Sequence, residues 1–532
     1  MHRDQTILPW YKRWWAVLVG SLIFPPAGLL LLWIRPWRGW KSLLLRPLAT
    51  LGISILALIH LLNFYGMHAE PSGAGYAPIF TFRDPKKDQD ELEKHRAAQK
   101  AMAPPAAPAL FQTAATVDKK PDAAGSEKKS KARGEAAEKE KPAAVAAVKA
   151  YWTDFRGPQR DGNYDEQPVL ATWPSGGLKP LWKQPVGGGY ASFVIAGGLA
   201  FTIEQRRGNE VVAAYDVQTG REAWTNSWAA FFQESMGGDG PRATPTWHNG
   251  TLYALGAAGE LRAMEAASGK TIWRTNILQD AGAQNIIWGM SGSPLLVDGK
   301  VIVQPGGPNA SVVAYDAQTG KPVWKSQSDQ PGYASLVVAT LAGQRQLVAI
   351  AAKRVMGLAV DDGKLLWEFP WTTMYDINAA QPVVTDGSHF VISSGYDHGS
   401  AMIEITRSGD AFAARAVWSN NEMKSRFSSS VLLHGYMYGF DEGIFACIEA
   451  KTGKRVWKGG RYGYGQVLLA GDRLVVLSEQ GDLVLLRATP EKLDELARFS
   501  AIEGKTWNVP AISGGILLVR NAREMAAFKI AP

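Results

Sequence analysis

Apolar residues are distributed along this chain in three ways. Between residues 14 and 65 they run almost unbroken in two stretches, WWAVLVGSLIFPPAGLLLLWI (14–34) and LATLGISILALIHLLNFY (48–65). Each is about as long as a helix must be to cross a bilayer. Trp and Tyr crowd their ends, where amphipathic rings favour the membrane interface. From 67 to 150 large apolar residues thin out, as in KKPDAAGSEKKSKARGEAAEKEKPAAVAAVKA (119–150). Such a stretch buries too little surface to offset chain entropy. The reading there is a disordered linker with one helical patch, DQDELEKHRAAQKAM (88–102). From 151 to 532 the apolar residues return in short bursts of β-formers. GSPLLVDGKVIVQPGGPNASVVAYDAQTGKPVW (292–324) shows the pattern: strands between DGK, PGG and TGK turns, with no helical period. The chain therefore divides into a membrane module at 1–66, a linker at 67–150 and an all-β body at 151–532.

The body repeats itself. AYDVQTGREAW (214–224) returns as AYDAQTGKPVW (314–324), with weaker copies AMEAASGKTIW (263–273), GLAVDDGKLLW (357–367) and CIEAKTGKRVW (447–457). Alignment on the tryptophan gives Trp182, Trp224, Trp273, Trp324, Trp367, Trp418 and Trp457, with Phe499 in the eighth place, at spacings of 39 to 51 residues. Such a period marks stacked supersecondary units. In D-x-x-T-G the Asp caps its own turn, and the Gly takes the positive φ that closes a hairpin. The Trp then lies on the returning strand, where a large ring fills the wedge between neighbouring sheets. These tryptophans are read as structural docking residues.

Four-stranded units in a ring form a β-propeller, and eight positions predict eight blades. EMAAFKI (524–530) stands where AYD stands elsewhere but has no Trp after it, while LKPLWKQP (178–185) has the Trp strand but no AYD before it. Pairing these two ends completes the eighth blade and leaves no open ring.

D-x-x-T-G-x-x-x-W repeated around eight blades resembles the tryptophan-docking motif of the PQQ-like (quinoprotein-type) β-propellers. That family includes quinoprotein alcohol dehydrogenases, BamB-type propellers of outer-membrane assembly, and uncharacterised exported propellers. DFRGPQRDG (154–162) is similar to the segment ahead of the first blade in the last group. The resemblance covers residues 150–532 and implies an all-β, eight-bladed PQQ-like β-propeller behind an N-terminal helical membrane anchor and a disordered linker. Three functions come with it: a protein-interaction or assembly scaffold, a PQQ-dependent quinoprotein oxidoreductase, and a small-ligand sensor at the channel mouth. The family's quinone enzymes hold PQQ against a disulfide of adjacent cysteines, with Ca2+ on carboxylate and amide side chains. This chain has one cysteine, Cys447, and no residue set spaced as calcium ligands. The scaffold is therefore the leading expectation, with no cofactor and no enzymatic activity. PQQ with calcium belongs to the alternative.

Charge bears on partners only once it is divided along the chain. The net +8 arises in residues 1–150, which carry 22 of the 57 Lys and Arg but only 13 of the 49 Asp and Glu. The body is close to neutral and offers no electrostatic case for nucleic acid. Arg35, Arg38, Lys41 and Arg46 lie between the two apolar stretches, and no basic residue lies between 66 and 82. Basic flanks stay cytoplasmic. The second stretch then runs outward, and residues 1–66 tether the body to the inner (cytoplasmic) membrane with the propeller facing the periplasm. Protein partners are expected there. Pro25 and Pro26 split the first stretch, so spanning and re-entry both remain open for it.

The loops leading into a propeller's inner strands surround its channel mouth. Here they carry Tyr190, Arg242, Trp288, Tyr333, Arg426, Arg461, Tyr464, Lys505 and Trp507. Cations beside aromatic faces suit an anionic, carbohydrate or quinone-like ligand, and these nine residues form the candidate site. A channel plugged by its own side chains is the alternative. His248, His389, His398 and His434 have no metal-ligand spacing, so no metal site is expected. The glycines of VGGGYASF (186–193) precede a strand rather than a helix, which excludes a phosphate loop.

Overall fold

The computed structural model describes residues 11, 14–23, 25–34, 41–64, 67–71, 78–82, 85–102 and 150–532. The chain separates into two compact units, 1–88 and 89–532. In the first, the helices Trp14–Ile23, Pro25–Ile34 and Lys41–Phe64 precede a hairpin of Met67–Pro71 and Pro78–Phe82. Pro25 and Pro26 open the second helix, where a missing N–H costs nothing. Val17, Leu32 and Ile53 form the small core of this unit. Among the described residues no helix is long and apolar enough to cross a membrane. The basic residues Arg35 and Arg38, and residues 103–149 of the expected linker, lie outside the described residues. The helical patch expected at 88–102 is the helix Pro85–Ala101.

The second unit is a ring of eight antiparallel sheets, the expected eight-bladed propeller. In blade 3 the strands run inner to outer as Leu295–Val297, Lys300–Val303, Val312–Asp316 and Pro322–Ser326. The other blades repeat this order. Blade 8 takes Ala511–Ser513, Ile516–Arg520 and Glu524–Lys529 from the C-terminus and Pro180–Pro185 as its outermost strand. In that pairing Ala527 stands opposite Trp182, so the two ends of the body close the ring. Blade 7 gains a short fifth strand, Asn163–Tyr164, parallel to its inner strand. Alternating apolar positions on each strand bury between blades, and the faces of blades 7, 8 and 1 merge into one core that includes Phe193, Tyr215, Leu485 and Phe528.

The repeated motif is what holds neighbouring blades together. Asp316 Oδ1 accepts the Thr319 N–H (2.8 Å) and hydroxyl (2.7 Å), which fixes the turn. Gly320 then adopts φ +70°. A Cβ at Gly320 would stand 2.6 Å from the ring of Trp273, the tryptophan of the preceding blade. That ring lies flat on the glycine and donates its indole N–H to Ala317 O at 2.9 Å. The same indole-to-backbone bond recurs from Trp182 to Val217 (2.9 Å), Trp224 to Ala266 (3.0 Å), Trp324 to Val360 (3.2 Å), Trp418 to Ala450 (3.1 Å) and Trp457 to Thr489 (3.0 Å). Trp367 breaks the series. Blade 5 replaces the turn motif with a long hairpin, Gly399–Ser408 and Ala411–Asn420. Trp367 has no glycine there to lie on, and its N–H turns to Gln346 of its own blade.

Candidate functional site

The leading segment, 151–164, lies across the bore. Its backbone carbonyls take the N–H of Ile195 (2.7 Å), Trp247 (2.9 Å) and Leu469 (2.9 Å), in the inner strands of blades 1, 2 and 7. Two arginines extend the reach. Arg156 donates to the carbonyls of Ser429 (3.0 Å) and Ser430 (3.1 Å) in blade 6. Arg160 donates to Leu336 O (3.0 Å) and Ser293 O (3.3 Å), in blades 4 and 3, and pairs with Asp154 at 3.2 Å. Both are buried. Burial pushes the Arg156 guanidinium down to about 10, because the charged form is disfavoured away from water.

A polar collar surrounds this plug. Ser192, Thr244, Ser293, Ser335, Gln381 and Ser429 each stand two residues before an inner strand, and all are buried. Backbone N–H groups donate to the next blade's hydroxyl: Ser192 to Thr244 (2.9 Å), Thr244 to Ser293 (3.1 Å), Ser293 to Ser335 (2.9 Å) and Gln381 to Ser429 (3.0 Å). Asn508 continues the ring by donating to Ala191 O at 2.9 Å. Hydroxyls fit here because each loop would otherwise leave a buried amide without an acceptor.

Above the collar the mouth is aromatic. Trp507 packs 5.3 Å from Tyr190 and 4.6 Å from Phe427, which in turn packs 5.7 Å from Tyr464. Trp288 and Tyr333 form a second pair at 5.3 Å. Lys505 Nζ lies 4.4 Å over Trp507 and donates to Gly237 O at 3.1 Å. Arg242 lies 5.6 Å over Tyr190 and donates to Gly238 O at 2.7 Å. Arg426 lies between Tyr396 (4.3 Å) and Tyr464 (4.6 Å) and pairs with Glu442 at 3.3 Å. Glu442 also accepts the Tyr464 hydroxyl (2.8 Å), and Glu479 accepts the Trp507 indole N–H (2.9 Å). Burial, then Glu442, hold the Tyr464 phenol above its ordinary range. Burial lowers Arg242.

Eight of the nine residues singled out in the sequence thus lie in packed aromatic and cationic contacts at the mouth. Arg461 does not join them. It ends the outermost strand of blade 6, exposed to solvent. Four further participants are Phe427, Tyr396, Glu442 and Glu479. Phe427 stands next to Arg426 in a loop already singled out. The other three occupy turns between second and third strands, where short polar runs read as turn chemistry alone.

A family profile described as "Outer membrane protein assembly factor BamB" matches residues 207–459. Over that span the chain is similar to the PQQ-like propellers, which its repeated docking motif also resembles. BamB of Burkholderia pseudomallei (strain K96243) is 21% identical over 362 residues, which is 57% of this chain and 86% of that protein. A quinohemoprotein alcohol dehydrogenase of Comamonas testosteroni is 32% identical over 124 residues, covering 22% of this chain and 17% of that enzyme. Quinohemoprotein alcohol dehydrogenase ADHIIG of Pseudomonas putida HK5 shares the fold, at TM-score 0.51 and 12% identity over 72% of this chain and 80% of its own.

A calcium-bound quinone would meet no cysteine pair at this mouth, and the carboxylates Glu442 and Glu479 are not open to it. Cys447, the one cysteine, is buried within blade 6. Glu442 and Glu479 are already engaged by Arg426, Tyr464 and Trp507. Among the described residues no group of three or more His, Cys, Asp or Glu is placed to hold a metal ion.

Proposed function

We propose that the chain is a membrane-tethered periplasmic scaffold whose loop face docks a protein partner. One observation carries this reading: large apolar side chains stand exposed on the connections that surround the mouth. Ile287 is 76% exposed and Met374 73%, with Tyr375, Phe231 and Met236 beside them in the outer-to-inner connections of blades 1 to 5. Exposed apolar residues around a polar, aromatic centre are the makings of a protein interface. The mouth's cations are held by carbonyls, carboxylates and ring faces, which suits a contact surface better than an ion-binding cup. Kinship to a protein named as an outer-membrane assembly factor supports the same class of role. The tether is supported by Trp15, Leu18, Leu30, Trp33, Leu48, Leu51 and Leu58, large apolar side chains exposed on the N-terminal helices, which a lipid phase would cover.

The test is a photo-crosslinking residue placed in the living cell at Ile287 or Met374, with Lys451, on a turn at the opposite face, as control. Adducts with one protein from the first two positions and not the third are expected. Equal adducts at all three, or none at the loop face, would remove the docking surface. PQQ retained at one per chain after desalting with calcium would replace the scaffold by the oxidoreductase.

A further inference from the structure

The seam where the ring closes is covered by a helix from outside the ring. Residues 89–101 of the helix Pro85–Ala101 lie in the wedge between blade 8 and blade 1. Leu92 and Arg96 are buried. Arg96 donates to Pro185 O at 2.8 Å, on the strand that completes blade 8. Its guanidinium lies 4.8 Å over the ring of Tyr215 and 3.6 Å from Glu222, both in blade 1. Gln99 donates to Gln184 Oε1 at 2.8 Å, again on the closing strand. From blade 1, Arg221 donates to the carbonyls of Gln99 (3.1 Å) and Met102 (3.2 Å), and Arg207 pairs with Asp90 at 3.2 Å.

A second wedge of the ring is met by a helix at the same place in the repeat. Tyr215 and Tyr315 hold the same place in the AYD motif. Tyr315 donates to Asp280 (2.7 Å) of the short helix Ile277–Ala281, which the preceding blade supplies locally. Tyr215 has no local helix before it, because the connection from Pro185 to Val194 forms none, and its hydroxyl donates to Glu204 of its own blade. Glu204 is buried beneath it, and although burial works to raise its pKa, Arg206, Arg520 and Arg96 draw it down to about 2.

We propose that the wedge between blades 8 and 1 is a docking groove for one helix, the chain's own Pro85–Ala101, which straps the ring across its closing seam. The groove reads Leu92, Arg96 and Gln99, three residues on one helical face. Apart from Leu92 the contacts are polar, and a helix of this length is marginal in water when isolated. Helix formation and docking are therefore one event. Strap and groove belong to one chain, so the strap competes at the high local concentration of a tethered ligand.

The test uses the full chain with Asp90→Cys and Arg207→Cys, a short bis-maleimide, and a protease site inserted between 103 and 149. After crosslinking and cleavage, the two pieces should remain joined at the mass of one chain in most molecules. Arg96→Ala should lower that yield at least tenfold while blades 2 to 6 keep their hydrogen-exchange protection. Lys94→Ala, on the exposed face of the helix, should leave the yield unchanged. Joined products at twice the chain mass would assign the groove to a second copy. Absence of crosslinking, or a yield indifferent to Arg96→Ala, would overturn the strap.

Discussion

Replacing Gly320 by Ala tests the inter-blade docking against a control that the fold itself supplies. Gly320 (φ +70°) and Gly343 (φ +75°) both adopt the left-handed conformation. A non-glycine residue there costs about 1–2 kcal/mol in either place. They differ in what a methyl group would meet. At Gly343 nothing lies within 4 Å, whereas at Gly320 the Trp273 ring is 2.6 Å away. To restore an ordinary contact of about 3.5 Å the ring must retreat by about 1 Å. That lengthens the indole bond to Ala317 past hydrogen-bonding range, at about 0.5–1.5 kcal/mol. A gap of that size also forfeits a quarter to a half of the dispersion contacts on the opened side, on the order of 1 kcal/mol. Gly320→Ala should therefore be about 2 kcal/mol less stable than Gly343→Ala. The comparison is made by urea unfolding of the two variants, with hydrogen exchange at 317–320 as the local reporter. Equal losses in the two would show that the tryptophan does not bear on the glycine, and the account of blade-to-blade cohesion would fall with it.

Three further outcomes are expected. Arg160→Met leaves the part-buried Asp154 without its partner and should cost about 3 kcal/mol in urea unfolding, part of which Asp154→Asn should restore. His398 packs edge-on against Trp371 at 4.3 Å, and burial lowers its pKa below 6.5. The unfolded chain then takes up the proton first, so the stability this group contributes is present above pH 6.5 and is lost as pH falls; His398→Gln should flatten that slope, and an unchanged slope would refute it. A reporter that is active only in the cytoplasm, fused after Pro532, should be silent in cells, and a bright signal would reverse the periplasmic placement.

The ring was legible in the sequence because its cohesion is written in short-range chemistry. D-x-x-T-G fixes a turn, the glycine bares a flat surface, and the tryptophan eight residues after the motif's Asp belongs to the same repeat. The split of the eighth blade could be read because each end lacks what the other has. Trp367 was harder: its partner blade has exchanged the motif for a long hairpin, and only the three-dimensional neighbour reveals the loss. At the mouth, the aromatic and basic residues stood out by composition. Glu442 and Glu479 did not, because a carboxylate in a turn looks alike whether it faces water or a tryptophan N–H. The strap was invisible for a related reason. A polar helix with one buried leucine carries no apolar stripe, so nothing in residues 85–101 announces a docked surface.

The plug has a consequence for the order in which the molecule can be finished. Residues 154–160 leave the ribosome before any blade exists, yet the carbonyls that receive Arg160 lie at 293 and 336, and those that receive Arg156 lie at 429 and 430. Until blade 6 has been made, Arg156 has no interior to occupy, and until residues 524–529 appear the strand at 180–185 has no sheet to join. Domains synthesised from the N-terminus usually fold as they emerge. Here the first-made part of the body is the last to be satisfied, so a nascent propeller waits with an open bore and an unpaired strand. Its early blades must stay soluble on their own until the chain's final residues arrive to shut the circle.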